Sequence, residues 1–195
     1  METKNILIVG VGGQGTLLSS RVLGRIAQDL GFDVKLSEVH GMAQRGGSVV
    51  THVRYGDKVY SPVIDQGQAD IIIAFEILEA MRYLGFLKKG GRMFVNCQEI
   101  LPMPVITGAA KYPQDLRQTI RMAAPDTVFI DALALAQQAG SVKAVNTVLL
   151  GVLAKNTDIP KENYIDAIKN TIAPKFLELN LRAFELGIKA VGEEQ

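Results

Sequence analysis

Cysteine is nearly missing from this chain. Of 195 residues only Cys97 carries a thiol, so an internal disulfide, a four-thiolate cluster and a CxxC redox pair are all excluded. Net charge is also nearly absent: 21 Lys and Arg stand against 20 Asp and Glu, a formal +1. Such a chain has no global field to draw in nucleic acid or an acidic membrane surface. No window reaches the roughly 18 consecutive apolar residues of a membrane span. The start, Met1-Glu2-Thr3-Lys4-Asn5, lacks the basic, apolar and small-residue regions of a secretory leader. These absences predict a soluble, cytoplasmic protein with neither nucleic acid nor membrane as a partner. At this length one ordinary core is expected, hiding roughly 70% of the unfolded surface, and no linker divides the chain. A single domain over 1–195 follows.

What the sequence has in excess is glycine near its start: nine of 19 lie within the first fifty residues, at 10, 12, 13, 15, 24, 31, 41, 46 and 47. Ile6 to Val9 is a short apolar run ended by Gly10. After it, Leu17, Leu18, Val22, Leu23, Ile26, Ala27 and Leu30 recur at helical spacings up to Gly31, giving strand, turn and amphipathic helix. Phe32 to Leu36 reads as a second strand, so the opening predicts a βαβ unit with parallel strands and a right-handed crossover. Ser48 to Tyr55 alternates as a strand, and Lys58 to Ser61 is expected to pair back on it as a hairpin after Gly56-Asp57. Asp70 to Phe75 (DIIIAF) suits a strand buried on both faces, followed by a helix from Glu76 to Leu84. Lys88-Lys89-Gly90-Gly91 reads as a break before a strand from Arg92 to Cys97. The proline-bearing stretch Gln98 to Pro113 reads as a surface connection with a short strand at Val105-Ile106. Leu116 to Ala124 is helical, Thr127 to Ile130 a strand, and the remainder helices separated by Gly140, Pro160 and Pro174. The fold class is α/β: doubly wound, Rossmann-like, mostly parallel, with a small hairpin and a helical C-terminal third.

Two glycine clusters are the candidate site. Gly10-Val11-Gly12-Gly13-Gln14-Gly15 fits G-x-G-x-x-G between a buried strand and a helix start. There glycines allow a tight turn and close backbone approach, and free N–H groups face an anion. A phosphate is the natural guest; the same glycines would also serve tight strand–helix packing alone. For NAD the pattern needs an acidic residue about 20 positions on, and Glu38, 23 past Gly15, is the candidate. The second cluster, Glu38-Val39-His40-Gly41-Met42-Ala43-Gln44-Arg45-Gly46-Gly47, follows the second strand and falls at the carboxyl edge of an open sheet, where ligands bind. An Arg before two glycines offers a fork of donors to a phosphate, a carboxylate or a partner's main chain; a mobile loop with a solvated Arg is the plainer reading. His40 reads as an ordinary hydrogen-bonded residue and His52 as structural. Glu76, between strand and helix at the same edge, either serves the helix N-terminus or faces a partner. Glu79 and Arg82 read as a surface pair, and Cys97 as a buried small hydrophobe. No catalytic constellation can be argued from spacing.

These segments carry a family resemblance. GVGGQG, EVHGMAQRGGSV, Ser61-Pro62, ADIIIAFEILEAMR, Asn146-Thr147-Val148-Leu149-Leu150-Gly151 and the Lys175-Phe176…Asn180…Ala183-Phe184…Gly187 pattern together resemble the gamma-type domain of the 2-oxoacid:ferredoxin oxidoreductases, and HGMAQRGG is most like its indolepyruvate branch. The resemblance spans nearly the whole chain. It implies an enzyme that decarboxylates an aryl 2-oxoacid on thiamine diphosphate, passes electrons through iron–sulfur clusters to ferredoxin, and transfers the acyl group to coenzyme A as co-substrate. It also implies that thiamine and clusters sit on a large partner subunit, and that no cofactor is bound by this chain alone. It places Gly10, Gly12, Gly13, Gln14 and Gly15 near a phosphate group or the partner. Gln44, Arg45, Gly46 and Gly47 fall at the subunit interface beside the thiamine and coenzyme A cavity, with Glu38, His40, Met42 and Glu76 on the same edge. A stand-alone NAD(P)-binding protein and a non-catalytic interaction module are the alternatives.

Overall fold

Strand β1 (Lys4–Val11) places Ile6 and Ile8 on one face and Leu7 and Val9 on the other, all buried. A period-2 strand can bury every residue only when both faces of the sheet are covered, and here both are. The computed structural model describes residues 1–41 and 46–191. They form helix α1 (Thr16–Asp29), strands β2 (Asp33–His40), β3 (Ser48–Gly56) and β4 (Ala69–Ala74), helix α2 (Ile77–Tyr83) and strand β5 (Leu87–Asn96). A one-turn helix α3 (Met103–Ile106), α4 (Leu116–Ala123), strand β6 (Val128–Ile130) and helices α5 (Ala132–Ala139), α6 (Val145–Lys155), α7 (Lys161–Thr171) and α8 (Pro174–Ala190) complete the fold. The six strands make one sheet in the order β2-β3-β1-β4-β5-β6, and three of its five pairings are parallel. Helices α1, α5, α6, α7 and α8 cover the face bearing Ile6 and Ile8. Helices α2 and α4, with Ile64, cover the face bearing Leu7 and Val9.

The doubly wound α/β class and the helical C-terminal third are as the sequence predicts; several local expectations are corrected. β2 runs in the same direction as β1 but is not its neighbour, because β3 lies antiparallel between them. Burial explains the exchange. β3 carries Val49, Val50, Thr51, His52 and Val53 into the interior, whereas Asp33, Lys35, Ser37, Glu38 and His40 of β2 suit an edge strand that discourages further pairing. With both flanks of β3 occupied, Lys58 to Ser61 forms no hairpin. The loop is instead fastened by Arg54 Nη1 to the carbonyls of Ser61 (2.8 Å) and Val63 (3.0 Å), and by Ile64 N–H to His52 Nδ1 (3.1 Å). Lys88 to Gly91 is not a break but the first part of β5, whose register against β4 shifts between Ala69 and Ile71. Val105-Ile106 is helical rather than extended, since both N–H groups fold back onto the Pro102 carbonyl. No described helix is long and apolar enough to cross a membrane.

Candidate functional site

The first glycine loop joins β1 to α1. At Gly10 a Cβ would lie 2.9 Å from both Gln14 Oε1 and Phe75 Cβ, so only glycine lets the loop close on the end of β4. Gln14 does the closing: Oε1 accepts Val11 N–H at 2.7 Å and Nε2 donates to the Phe75 carbonyl at 3.0 Å. Its amide therefore serves the loop's own shape. Gly15 caps α1 with φ +87°, and a Cβ there would meet Asn146 Nδ2 at 2.8 Å. The backbone N–H groups of Gly13, Gly15, Thr16 and Leu17 have no protein acceptor among the described residues, the donor set that a helix start offers an anion.

The second glycine cluster meets the first. Gly12 N–H donates to the Gly47 carbonyl at 2.8 Å, and Gly46 holds φ +77°, a conformation open to glycine at little cost. Ser48, opening β3, donates its hydroxyl to Glu79 Oε2 at 2.5 Å, and Arg82 Nη1 lies 2.6 Å from Glu79 Oε1. Glu79 is thus no surface residue. Its side chain is 2% exposed, and it ties α2 to the end of the second loop, a role that i,i+3 spacing alone could not reveal. Met42, Gln44 and Arg45 lie outside the described residues.

Glu76 is buried at the N-terminus of α2, and both of its carboxylate oxygens accept hydrogen bonds. Oε2 accepts Glu79 N–H at 2.8 Å, while Oε1 accepts Ile100 N–H at 3.0 Å and the Tyr112 hydroxyl at 2.9 Å. Of the two readings for Glu76, the helix-terminus one describes its contacts. Burial, with the Glu76 hydrogen bond, holds the Tyr112 phenol well above its ordinary range. Glu38 accepts the Thr51 hydroxyl at 3.0 Å and lies 3.8 Å from exposed His40. Because β3 intervenes, Glu38 sits two strand spacings from β1, about 10 Å. A ribose held by the first loop needs its acid on the neighbouring strand, so the NAD geometry is not reproduced. Cys97 is half-buried rather than enclosed, beside a cleft of about 320 Å³ with Glu99, Tyr112 and Arg117, and burial pushes its thiol up. Among the described residues no group of three His, Cys, Asp or Glu could hold a metal.

One feature of this edge was not legible as a site. Asn180 Oδ1 accepts the Thr147 hydroxyl at 2.6 Å, Thr147 N–H donates to Asn146 Oδ1 at 2.8 Å, and Asn146 then packs on Gly15. A buried polar chain thus runs from α8 through α6 to the first loop. The signal was there in polar residues set among apolar ones on two helices, yet helical spacing does not say that they meet.

Residues 5–190 match the family described as Pyruvate ferredoxin/flavodoxin oxidoreductase. The chain is 42% identical over 199 residues to the indolepyruvate oxidoreductase subunit IorB of Thermococcus kodakarensis, covering 99% of this chain and 98% of that protein. It is 28% identical to the ketoisovalerate oxidoreductase subunit VorA of Methanothermobacter marburgensis, over 93% of this chain but 35% of that longer protein. Among solved structures, the gamma subunit of a keto/oxoacid ferredoxin oxidoreductase from Geobacter sulfurreducens superposes with a TM-score of 0.70 at 24% identity, covering 96% of this chain and 97% of that one.

Proposed function

The chain belongs to the pyruvate ferredoxin/flavodoxin oxidoreductase family, and from that premise we propose that it is the small subunit of an indolepyruvate-type 2-oxoacid:ferredoxin oxidoreductase, working in the cytoplasm. The observation that carries its part in the enzyme is the hydrogen bond from Gly12 to Gly47, which makes two glycine loops into one surface at the carboxyl edge of the sheet. Among the described residues of that surface glycine predominates, and there the amides of Gly13, Gly15, Thr16 and Leu17 have no protein acceptor. That set fits a phosphate of coenzyme A or of thiamine diphosphate presented by a larger subunit. One cysteine does not fit an iron–sulfur cluster, so the clusters belong to that partner, as does docking of ferredoxin. When bound there, thiamine diphosphate supplies the decarboxylation chemistry. This chain's residues orient a phosphate, exclude water and complete the wall of the cavity, with Gln44, Arg45, Gly46 and Gly47 on the partner side.

Reconstitution tests the reading. The isolated chain should show no cluster absorbance and no turnover. Adding it to the larger thiamine and iron–sulfur subunit should restore indolepyruvate-dependent, coenzyme A-dependent ferredoxin reduction. Full activity of the larger subunit alone would overturn the proposal.

A further inference from the structure

Between Glu99 and Lys111 the chain runs eleven residues, Ile100 to Ala110, without a charge. In the structure this stretch stays out of the core. Leu101 is 49% exposed, Met103 64% and Ile106 61%, in a protein whose residues are 21% charged overall. Nor is it a slack loop. Val105 and Ile106 N–H fold onto the Pro102 carbonyl, Thr107 N–H and hydroxyl onto that of Met103, and Ala110 N–H onto that of Pro104. Both stems are fastened to one oxygen, Glu76 Oε1, which accepts Ile100 N–H and the Tyr112 hydroxyl. Glu76 is itself locked by capping α2. The result is a fixed, uncharged ridge at the same edge as the glycine loops, to which it is joined through Gln14 Nε2 and Gln98 Oε1 at 3.4 Å.

We propose that the Leu101–Ile106 ridge is the docking element of this chain, seated in an uncharged apolar depression of the larger subunit of the same oxidoreductase. The inference rests on the functional reading above. Two observations mark the ridge as an interface, and a third points to its occupant. A contiguous apolar patch free of charge has the composition of an interface core rather than of open surface. Its rigidity, set by a buried carboxylate, lowers the ordering cost of binding. In VorA the part matching this chain is only 35% of a longer polypeptide, so there the domain is covalently joined to further oxidoreductase chain, the kind of neighbour that a separate larger subunit would supply here.

The test measures association of the full chain with the purified larger subunit by calorimetry, for wild type and for a Met103→Asp/Ile106→Asp variant. Both positions are solvent-exposed, so the variant should keep the wild-type circular dichroism and melting temperature. The dissociation constant should rise about a hundredfold, the scale of losing two central anchors. A Met103→Leu/Ile106→Val variant, which keeps the surface apolar, should bind within about threefold of wild type. Unchanged binding by the Asp variant overturns the assignment while leaving the functional reading standing. So does self-association of the isolated chain that the Asp variant abolishes without affecting the larger subunit, since the occupant would then be a second copy. Wild-type chain that does not bind the larger subunit at all sinks the functional reading, and the ridge's role with it.

Discussion

At position 151 a side chain has nowhere to go. A Cβ there would lie 2.1 Å from the Phe184 carbonyl oxygen, and one at Gly187 would lie 2.0 Å from that of Val148. Helices α6 and α8 therefore touch backbone to backbone, and neither side can yield by rotating a side chain. Gly151→Ala should destabilise the protein by about 3 kcal/mol or more, the upper range for overpacking, read as a lowered urea midpoint at unchanged slope. A second residue-scale outcome concerns His52. Its Nδ1 accepts Ile64 N–H, and burial, with Arg54 beside it, holds its pKa below the usual 6.5. The unfolded chain therefore binds a proton at a higher pH than the folded one. The stability this neutral histidine contributes is fully present above about pH 6.5 and is lost as pH falls through the lower folded value. Melting temperature should drop over that window, and His52→Asn, which keeps an acceptor but cannot titrate, should flatten this part of the profile.

Elements show where local chemistry ends and competition between distant segments begins. Helix α2 meets β3 through Glu79 and Ser48, and because Ser48 adjoins Gly47, this contact also sets the Gly12–Gly47 bond. Glu79→Gln should cost about 1.5–3 kcal/mol, the range for a hydrogen bond to a charged group, while the half-exposed Arg82 partner adds little. In the reconstituted enzyme the same variant should raise the coenzyme A Michaelis constant more than it lowers kcat. Equal loss in both would mean that the contact acts on stability alone. This link was hidden in the sequence because Glu79 and Arg82 have the spacing of any exposed helical pair. β1 and β4 were readable, since short, β-branched-rich apolar runs bounded by glycine or a charge suit strands buried on both faces better than helices, which need greater length. The position of β3 was not: its alternation and the turn after it suit a hairpin, and only the poorer burial of β2 decides which of the two strands pairs with β1. The glycine loops were legible for a local reason, positive φ at Gly13, Gly15 and Gly46. The Asn146–Thr147–Asn180 chain was not, because it exists only once α6 and α8 are packed.

For the whole molecule, the near balance of 21 basic and 20 acidic side chains now has a bearing on assembly. A subunit that found its partner by opposite charge would associate quickly at low salt and loosen steeply as salt screens the field. Here the exposed ridge carries no charge, and the described part of the glycine loops offers mainly backbone. Burial of such surfaces is driven by removal of apolar area from water, which moderate salt does not weaken. The dissociation constant of the complex should therefore change less than about threefold between about 0.05 and about 0.5 M sodium chloride, as measured by titration of the two purified subunits. Its heat capacity of association should be negative, the marker of apolar burial. A tenfold or greater weakening over the same range would instead assign the contact to charged side chains, with the Arg45 segment the first to replace.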